Sequence, residues 1–282
     1  VEILNDVSLF LTLHTEMSTS VTYNIENLST GYGSGVNRVT LLRGMNAQLC
    51  RGELACLIGV NGAGKSTLLR TLAGMQPALG GKVELSGRPL ADYSVRELAS
   101  KVSVVLTDEV PEQNLTAFEL VAMGRMPYTG YWGTLSSADR DVVIEMLDLV
   151  GMGGFADRRL SSLSDGERQK LMIAKAMAQE TDVILLDEPI AFLDFPSKVS
   201  VLKMLETVAK TAGKSVLLSI HDIEIALQMA QRLWVLSDHG FFAGEPHELA
   251  REGKIDFLFS GQDVVFDRDT LQYSLNRKNK GL

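Results

Sequence analysis

An α/β fold built on a mainly parallel sheet is predicted by three features of the sequence. Short apolar runs recur along the chain and alternate with longer stretches of helical spacing, the pattern of strands joined by crossover helices. A glycine-rich turn separates one of these runs from the helix that follows it. The middle of the chain, from about Asp108 to Gln179, has helical and loop patterns without an evident strand, and it reads as a helical insertion in the core.

In chain order, Val21–Asn27 mixes β-branched and aromatic residues with polar ones and reads as a strand. Leu54–Ile58 is an unbroken apolar run, the signature of a strand buried on both faces. Ser66–Ala73 follows with leucines at helical spacing. Lys82–Leu85 and Val102–Leu106 are short strands, and Ala138–Val150 and Glu167–Gln179 are helices of the insertion. Val183–Leu186 is a second fully apolar strand. Ser197–Thr211 is a helix, Ser215–Ser219 a strand, and Ile223–Ala230 the helix after it. Gly244-Glu245-Pro246 then precedes a short helix.

The 282 residues suffice for one large α/β domain or two small ones, and 45% hydrophobic content supplies a core. Twenty-seven basic against 35 acidic side chains give a net charge of −8, which disfavours nonspecific nucleic-acid binding. The longest apolar runs are far too short to cross a bilayer, so a membrane role requires a partner. Cys50 and Cys56 match no zinc or redox spacing and read as free thiols of a reducing cytosol. The motif-bearing pattern starts at about Val21. Residues 1–20 are therefore expected to be an extension or tag remnant, with Met17 as the natural initiator. The run Leu9–Leu13 lacks the length and basic flank of a secretory signal, and Arg277–Lys280 reads as a solvated basic end.

Gly59-Val60-Asn61-Gly62-Ala63-Gly64-Lys65-Ser66 is a complete G-x-x-x-x-G-K-S loop between an apolar strand and a helix. Its glycines free backbone N–H groups to curl around phosphate oxygens, and the helix start adds partial positive charge. Lys65 is expected to reach the β- and γ-phosphates, and Ser66, with Thr67 beside it, to meet Mg²⁺ and phosphate. The strand Val183–Leu186 ends in Asp187 and Glu188. Asp187 is expected to hold Mg²⁺ through water and Glu188 to polarise the attacking water as general base.

Leu163-Ser164-Asp165-Gly166-Glu167-Arg168-Gln169, ahead of that strand, resembles the signature of ABC ATPases, whose usual form is L-S-G-G-Q. As chemistry it is an anion site at a helix start, built from Ser164 and Gly166, and Ser164 with Glu167 also forms a capping box. Ala191-Phe192-Leu193-Asp194 is similar to the family's D-loop, His221 to its switch histidine, and Tyr32 to the aromatic that stacks on adenine. His14, His239 and His247 have no such context and receive no role. The resemblance covers the chain from about residue 21 onward.

That resemblance implies a RecA-like P-loop NTPase core, an N-terminal antiparallel β part and a helical subdomain at about 108–179, together one nucleotide-binding domain over 21–282. It implies ATP and Mg²⁺ as ligands, with ATP between Lys65 of one copy and Ser164 of another in a head-to-tail dimer, and Asp194 at the junction. Ala122-Met123-Gly124-Arg125-Met126-Pro127-Tyr128 is similar to a stretch in the motors of ferric siderophore, haem and cobalamin importers, in the subdomain that grips the permease. The resemblance therefore implies an importer motor at the cytoplasmic face of the inner membrane. Its partners would be a polytopic permease and, indirectly, a substrate-binding protein, with no nucleic acid.

The alternative is a soluble ABC ATPase acting on ribosomes or DNA. The chain lacks both the doubled cassette of the ribosomal class and the coiled coils of the DNA class. Two departures from the family pattern stand out. Thr107, followed by Asp108 and Glu109, occupies the place of a glutamine that touches Mg²⁺ and senses the permease, and either Gln113 or Asp108 is left to replace it. Asp165 puts a carboxylate beside the expected γ-phosphate, so it is expected to face away.

Overall fold

The computed structural model describes residues 20–33, 38–106, 114–130, 133–238, 240–259 and 264–275. The expectations for residues 1–16 and Met17, for Thr107, Asp108, Glu109 and Gln113, and for Arg277–Lys280 lie outside the described residues, as do His14 and His239.

The chain opens with β1 (Val21–Tyr32) and β2 (Val39–Cys50), followed by β3 (Leu54–Gly59) and α1 (Lys65–Leu72). Next come β4 (Gly80–Leu85), β5 (Arg88–Pro89), α2 (Val95–Ala99) and β6 (Val102–Val105). The insertion carries α3 (Ala117–Ala122), α4 (Ser137–Leu149) and α5 (Asp165–Ala178). The core resumes with β7 (Val183–Leu186), α6 (Phe195–Ala212), β8 (Ser215–Ser219), α7 (Ile223–Met229) and β9 (Arg232–Ser237). It ends with β10 (Gly240–Gly244), α8 (Pro246–Arg251), β11 (Val264–Asp267) and β12 (Gln272–Leu275).

The main sheet runs β10-β9-β3-β8-β7-β6, parallel from β9 to β6 with β10 antiparallel at one edge. A second, antiparallel sheet has the order β2-β1-β4-β5. The apolar strands alternate between two cores, as a period of two requires. Leu54, Cys56 and Ile58 of β3 face the core that also takes Leu202 and Leu205 of α6 and Ala226 of α7. Ala55 and Leu57 face the other core, with Leu68, Leu69 and Leu72 of α1 and Tyr23 and Leu49 of the antiparallel sheet. Burial on both faces explains why β3 and β7, and the 216–218 stretch of β8, read as continuous apolar runs.

Several elements exceed the sequence expectation. β1 continues past Asn27 to Tyr32 through irregular register, with Asn27 itself at φ 48°. β2 was not expected, because Gly44 and Asn46 interrupt its apolar pattern; its β1 partner supplies the order. α5 starts at Asp165 rather than Glu167 because Ser164 is its N-cap, with the capping box complete.

The insertion has its own core, in which Ala117, Leu120 and Val121 of α3 meet Val143 and Leu147 of α4 and Leu171, Ala174 and Ala178 of α5. No strand occurs among its described residues; one isolated bridge joins Thr116 to Arg159. Arg125 ties the three helices together. It is 7% exposed, and its guanidinium donates to Asp139 Oδ1 (2.9 Å), to the Ala178 carbonyl (2.7 Å) and to Glu180, while stacking over Tyr128 at 4.3 Å. Gly124 lets this turn sit flush on α5, since a Cβ there would fall 2.3 Å from the Lys175 carbonyl oxygen.

Asp139 also closes the N-cap of α4, accepting from the Ser136 hydroxyl (2.6 Å) and amide (3.0 Å). These bonds, and then Arg125, pull its carboxyl down to about 2. A folded-state pKa below the unfolded value means the stabilisation is present above about pH 4 and fades as pH falls toward 2. Asp139→Asn is expected to remove that part of the acid sensitivity. Denaturation midpoints measured between pH 5 and 2 check this, and parallel curves for the two proteins would count against it.

Candidate functional site

The loops after β3, β7 and β8 leave the same end of three adjacent parallel strands, where α/β sheets bind ligands. The loop Gly59–Ser66 turns into α1 through Gly64, whose φ of 98° is the left-handed conformation that glycine adopts without steric cost. As N-cap, Gly64 offers no side-chain acceptor to the first turn of the helix, which leaves those N–H groups for an anion. Asn61 and Gly62 are exposed, Ala63 is half-buried, and a Cβ on Gly62 would meet nothing within 4 Å. The cradle thus has room and donors for phosphate oxygens. Lys65 is only 6% exposed, and its Nζ donates to the carbonyls of Gly59 (2.9 Å) and Val60 (3.4 Å). Burial pulls the pKa of this ammonium down, while Glu188 and Asp187 push it back up. Ser66 and Thr67 follow on α1, half-buried.

Asp187 ends β7 at 2% exposure, its amide donating to the Val105 carbonyl (2.7 Å). Glu188 is half-buried with φ 51°, a left-handed conformation unusual for a side chain of this size. Its carboxylate meets the Nε2 of His221, which is exposed just beyond β8. Between the two acids stands Ser219, fully buried, whose hydroxyl donates to Asp187 Oδ1 (2.6 Å) and accepts from the Glu188 amide (2.9 Å). Of the two residues expected to meet Mg²⁺, Ser66 carries a hydroxyl and Asp187 a carboxylate, both oxygen donors. That chemistry suits Mg²⁺, which takes few protein ligands beside phosphate and water.

The signature lies along an open groove lined by Ser164, Gly166, Lys170, Leu193, Asp194 and neighbouring residues, none of them from the phosphate loop. Gly166 abuts the D-loop: a Cβ there would lie 3.2 Å from Leu193 and 3.3 Å from the Phe192 carbonyl. The groove's acids are all engaged. Asp165 lines it but pairs with Arg168, Glu167 holds the amide and hydroxyl of Ser164 (2.8 Å each), and Asp194 caps α6 through the Ser197 amide (3.1 Å). Phe192 and Phe195 project into solvent at 61% and 66% exposure.

Tyr32, 57% exposed at the end of β1, belongs to the antiparallel sheet. Gln76 anchors that strand end to the phosphate-loop helix, donating to the Gly31 carbonyl (3.2 Å), the Thr67 carbonyl (3.3 Å) and the Thr71 hydroxyl (2.9 Å). Sequence reasoning passed over Gln76 and Ser219. The signal for Ser219 was a hydroxyl inside the apolar run Val216-Leu217-Leu218-Ser219-Ile220; Gln76 lies in a turn with no pattern around it.

The family description "ABC transporter" matches residues 42–191. An ABC transporter ATP-binding protein of Methanocaldococcus jannaschii, MJ0873, is 39% identical over 235 residues, covering 83% of this chain and 80% of its own length. The iron(3+)-hydroxamate import ATP-binding protein FhuC of Bacillus subtilis is 34% identical over 212 residues, covering 75% of this chain and 77% of its own. Among solved structures, an ABC transporter of metal-chelate type in an inward-facing conformation superposes with a TM-score of 0.72 at 26% identity, covering 90% of this chain and 96% of that one. With a phosphate loop, paired acids and a signature helix in one fold, and relatives matched over most of their length, the chain is an ABC ATPase and belongs to the ABC transporter family.

Proposed function

We propose that this ATPase is the motor of an importer for a metal chelate of the siderophore, haem or cobalamin class. Two copies would work head to tail at the cytoplasmic face of the inner membrane, beneath a polytopic permease that a substrate-binding protein supplies. The observation that carries the dimer is the signature groove, which contains no residue of the phosphate loop. In this reading a nucleotide on Lys65 of one copy meets Ser164 and Gly166 of a second copy, joined through Asp194 and its loop.

In this reading Tyr32 stacks on adenine. The loop residues Gly59, Asn61, Gly62, Ala63 and Gly64, with Thr67, wrap the phosphate oxygens, and the Lys65 ammonium compensates charge on the β- and γ-phosphates. Ser66 and Asp187 hold Mg²⁺, whose chemistry is to offset the charge that develops on those oxygens. Glu188 takes a proton from the attacking water onto its carboxylate, and His221 holds that carboxylate in place and faces the γ-phosphate.

The import assignment rests on residues 122–128 and on the named relatives. Arg125 serves within the insertion, so Met123 (40% exposed), Met126 (65%) and Tyr128 (44%) are left as that segment's surface toward a permease. Purification of the tagged chain from native membranes in mild detergent tests this. A polytopic permease recovered in equal amount is the expected result, and its binding protein then identifies the cargo. Recovery only with ribosomes or DNA would overturn the transport role and leave the ATPase chemistry standing.

A further inference from the structure

We propose that Ser219 is a positioning residue of the hydrolytic site, locking the metal-holding carboxylate of Asp187 to the backbone of the general base Glu188. This rests on the reading of those two acids given above. A serine hydroxyl has one proton to donate and lone pairs to accept with. Here the proton goes to Asp187 Oδ1 at 2.6 Å, and a lone pair takes the Glu188 N–H at 2.9 Å. Both roles fix the same rotor, and with Ser219 at 0% and Asp187 at 2% exposure no bulk water stands by to replace the bond between them.

The placement follows from the sheet. Leu186 of β7 pairs with Leu218 of β8, so one step further along each strand Asp187 and Ser219 stand side by side. Two residues beyond Ser219 the chain presents His221 to the Glu188 carboxylate. Asp187, Ser219, His221 and Glu188 thus close a ring across two strand ends. Within it Glu188 keeps a φ of 51°, a conformation that non-glycine residues hold only when their surroundings impose it. The Ser219 bond to its amide is one such restraint. Without the hydroxyl, Asp187 loses a donor that orients its carboxylate, and the Glu188 N–H loses the acceptor that fixes it.

Threonine and valine have nearly the same shape and both suit a strand, so Ser219→Thr and Ser219→Val separate the hydroxyl from its volume. The measurements are ATP affinity with and without Mg²⁺, by equilibrium binding of a fluorescent ATP analogue, and phosphate release. Metal-free affinity is expected to be equal in the two variants. The Mg²⁺ concentration for half-maximal enhancement of binding is expected to rise about 10–100-fold in Ser219→Val only, with turnover falling in parallel. Ser219→Ala repeats the loss should the β-branched chains distort the site. Equal metal dependence in Ser219→Thr and Ser219→Val, or parental metal dependence in Ser219→Ala, overturns the proposal. Glu188→Gln run beside them separates the two levels: its full activity would bring down the reading of the acids, whereas its inactivity beside an unaltered Ser219→Val would remove only the serine's role.

Discussion

Glu188→Gln is expected to bind ATP and lose about 10²–10⁴-fold in turnover, the contribution of a positioned general base. Glutamine keeps the size and polarity of the side chain but cannot accept the proton of the attacking water. The neighbours that hold Glu188 are independent of its charge in part: the Ser219 hydroxyl binds its amide, and His221 can bond an amide oxygen as well as a carboxylate. The fold and the phosphate cradle should therefore persist while chemistry stops. Phosphate release under saturating ATP, compared with nucleotide binding on the same preparation, checks both halves. Unchanged turnover would remove Glu188 from the reaction and leave water activation to another group.

Lys65→Ala is expected to fail one step earlier, at binding. Charge-assisted hydrogen bonds contribute about 1.5–3 kcal/mol each, so losing the ammonium costs about 10–150-fold in ATP affinity per bond. Among the described residues the amine donates to the carbonyls of Gly59 and Val60, and burial already works against its charge. Its removal should thus alter the melting temperature of the free protein less than it alters the rise produced by ATP. Thermal melting with and without nucleotide reads both quantities. A parental ATP-induced rise in Lys65→Ala would overturn the role given to the lysine.

The chemistry of this chain was legible before its shape because it resides in short contiguous segments. Gly59–Ser66, Leu163–Gln169 and Val183–Glu188 each carry their own turn, cap or strand end, and local backbone physics is enough to define an anion cradle, a capped helix start and a pair of acids at a sheet edge. The strands β3 and β7, and the 216–218 stretch of β8, announced themselves as apolar runs for the same reason, since burial on both faces favours apolar side chains at successive positions. Cys50 and Cys56 likewise behave as read: both are free, with burial pushing the Cys56 thiol up to about 12.

What depended on distant partners was not legible. β2 has an ambiguous pattern and becomes a strand only where β1 offers it a ladder. Arg125 read as part of a surface recognition stretch, yet Asp139 and Glu180, 14 and 55 residues away, draw it into the insertion as an internal clamp. Ser219 lies 32 residues from Asp187, and nothing near it in sequence reveals a partner. The sequence by itself determined the ATPase segments and the alternation of strand and helix, because spacing and local hydrogen bonding suffice for them. Only the tertiary structure decided which buried polar groups meet, because a lone hydroxyl or guanidinium acquires its function from the partner that satisfies it, and parallel β–α–β topology puts that partner far along the chain.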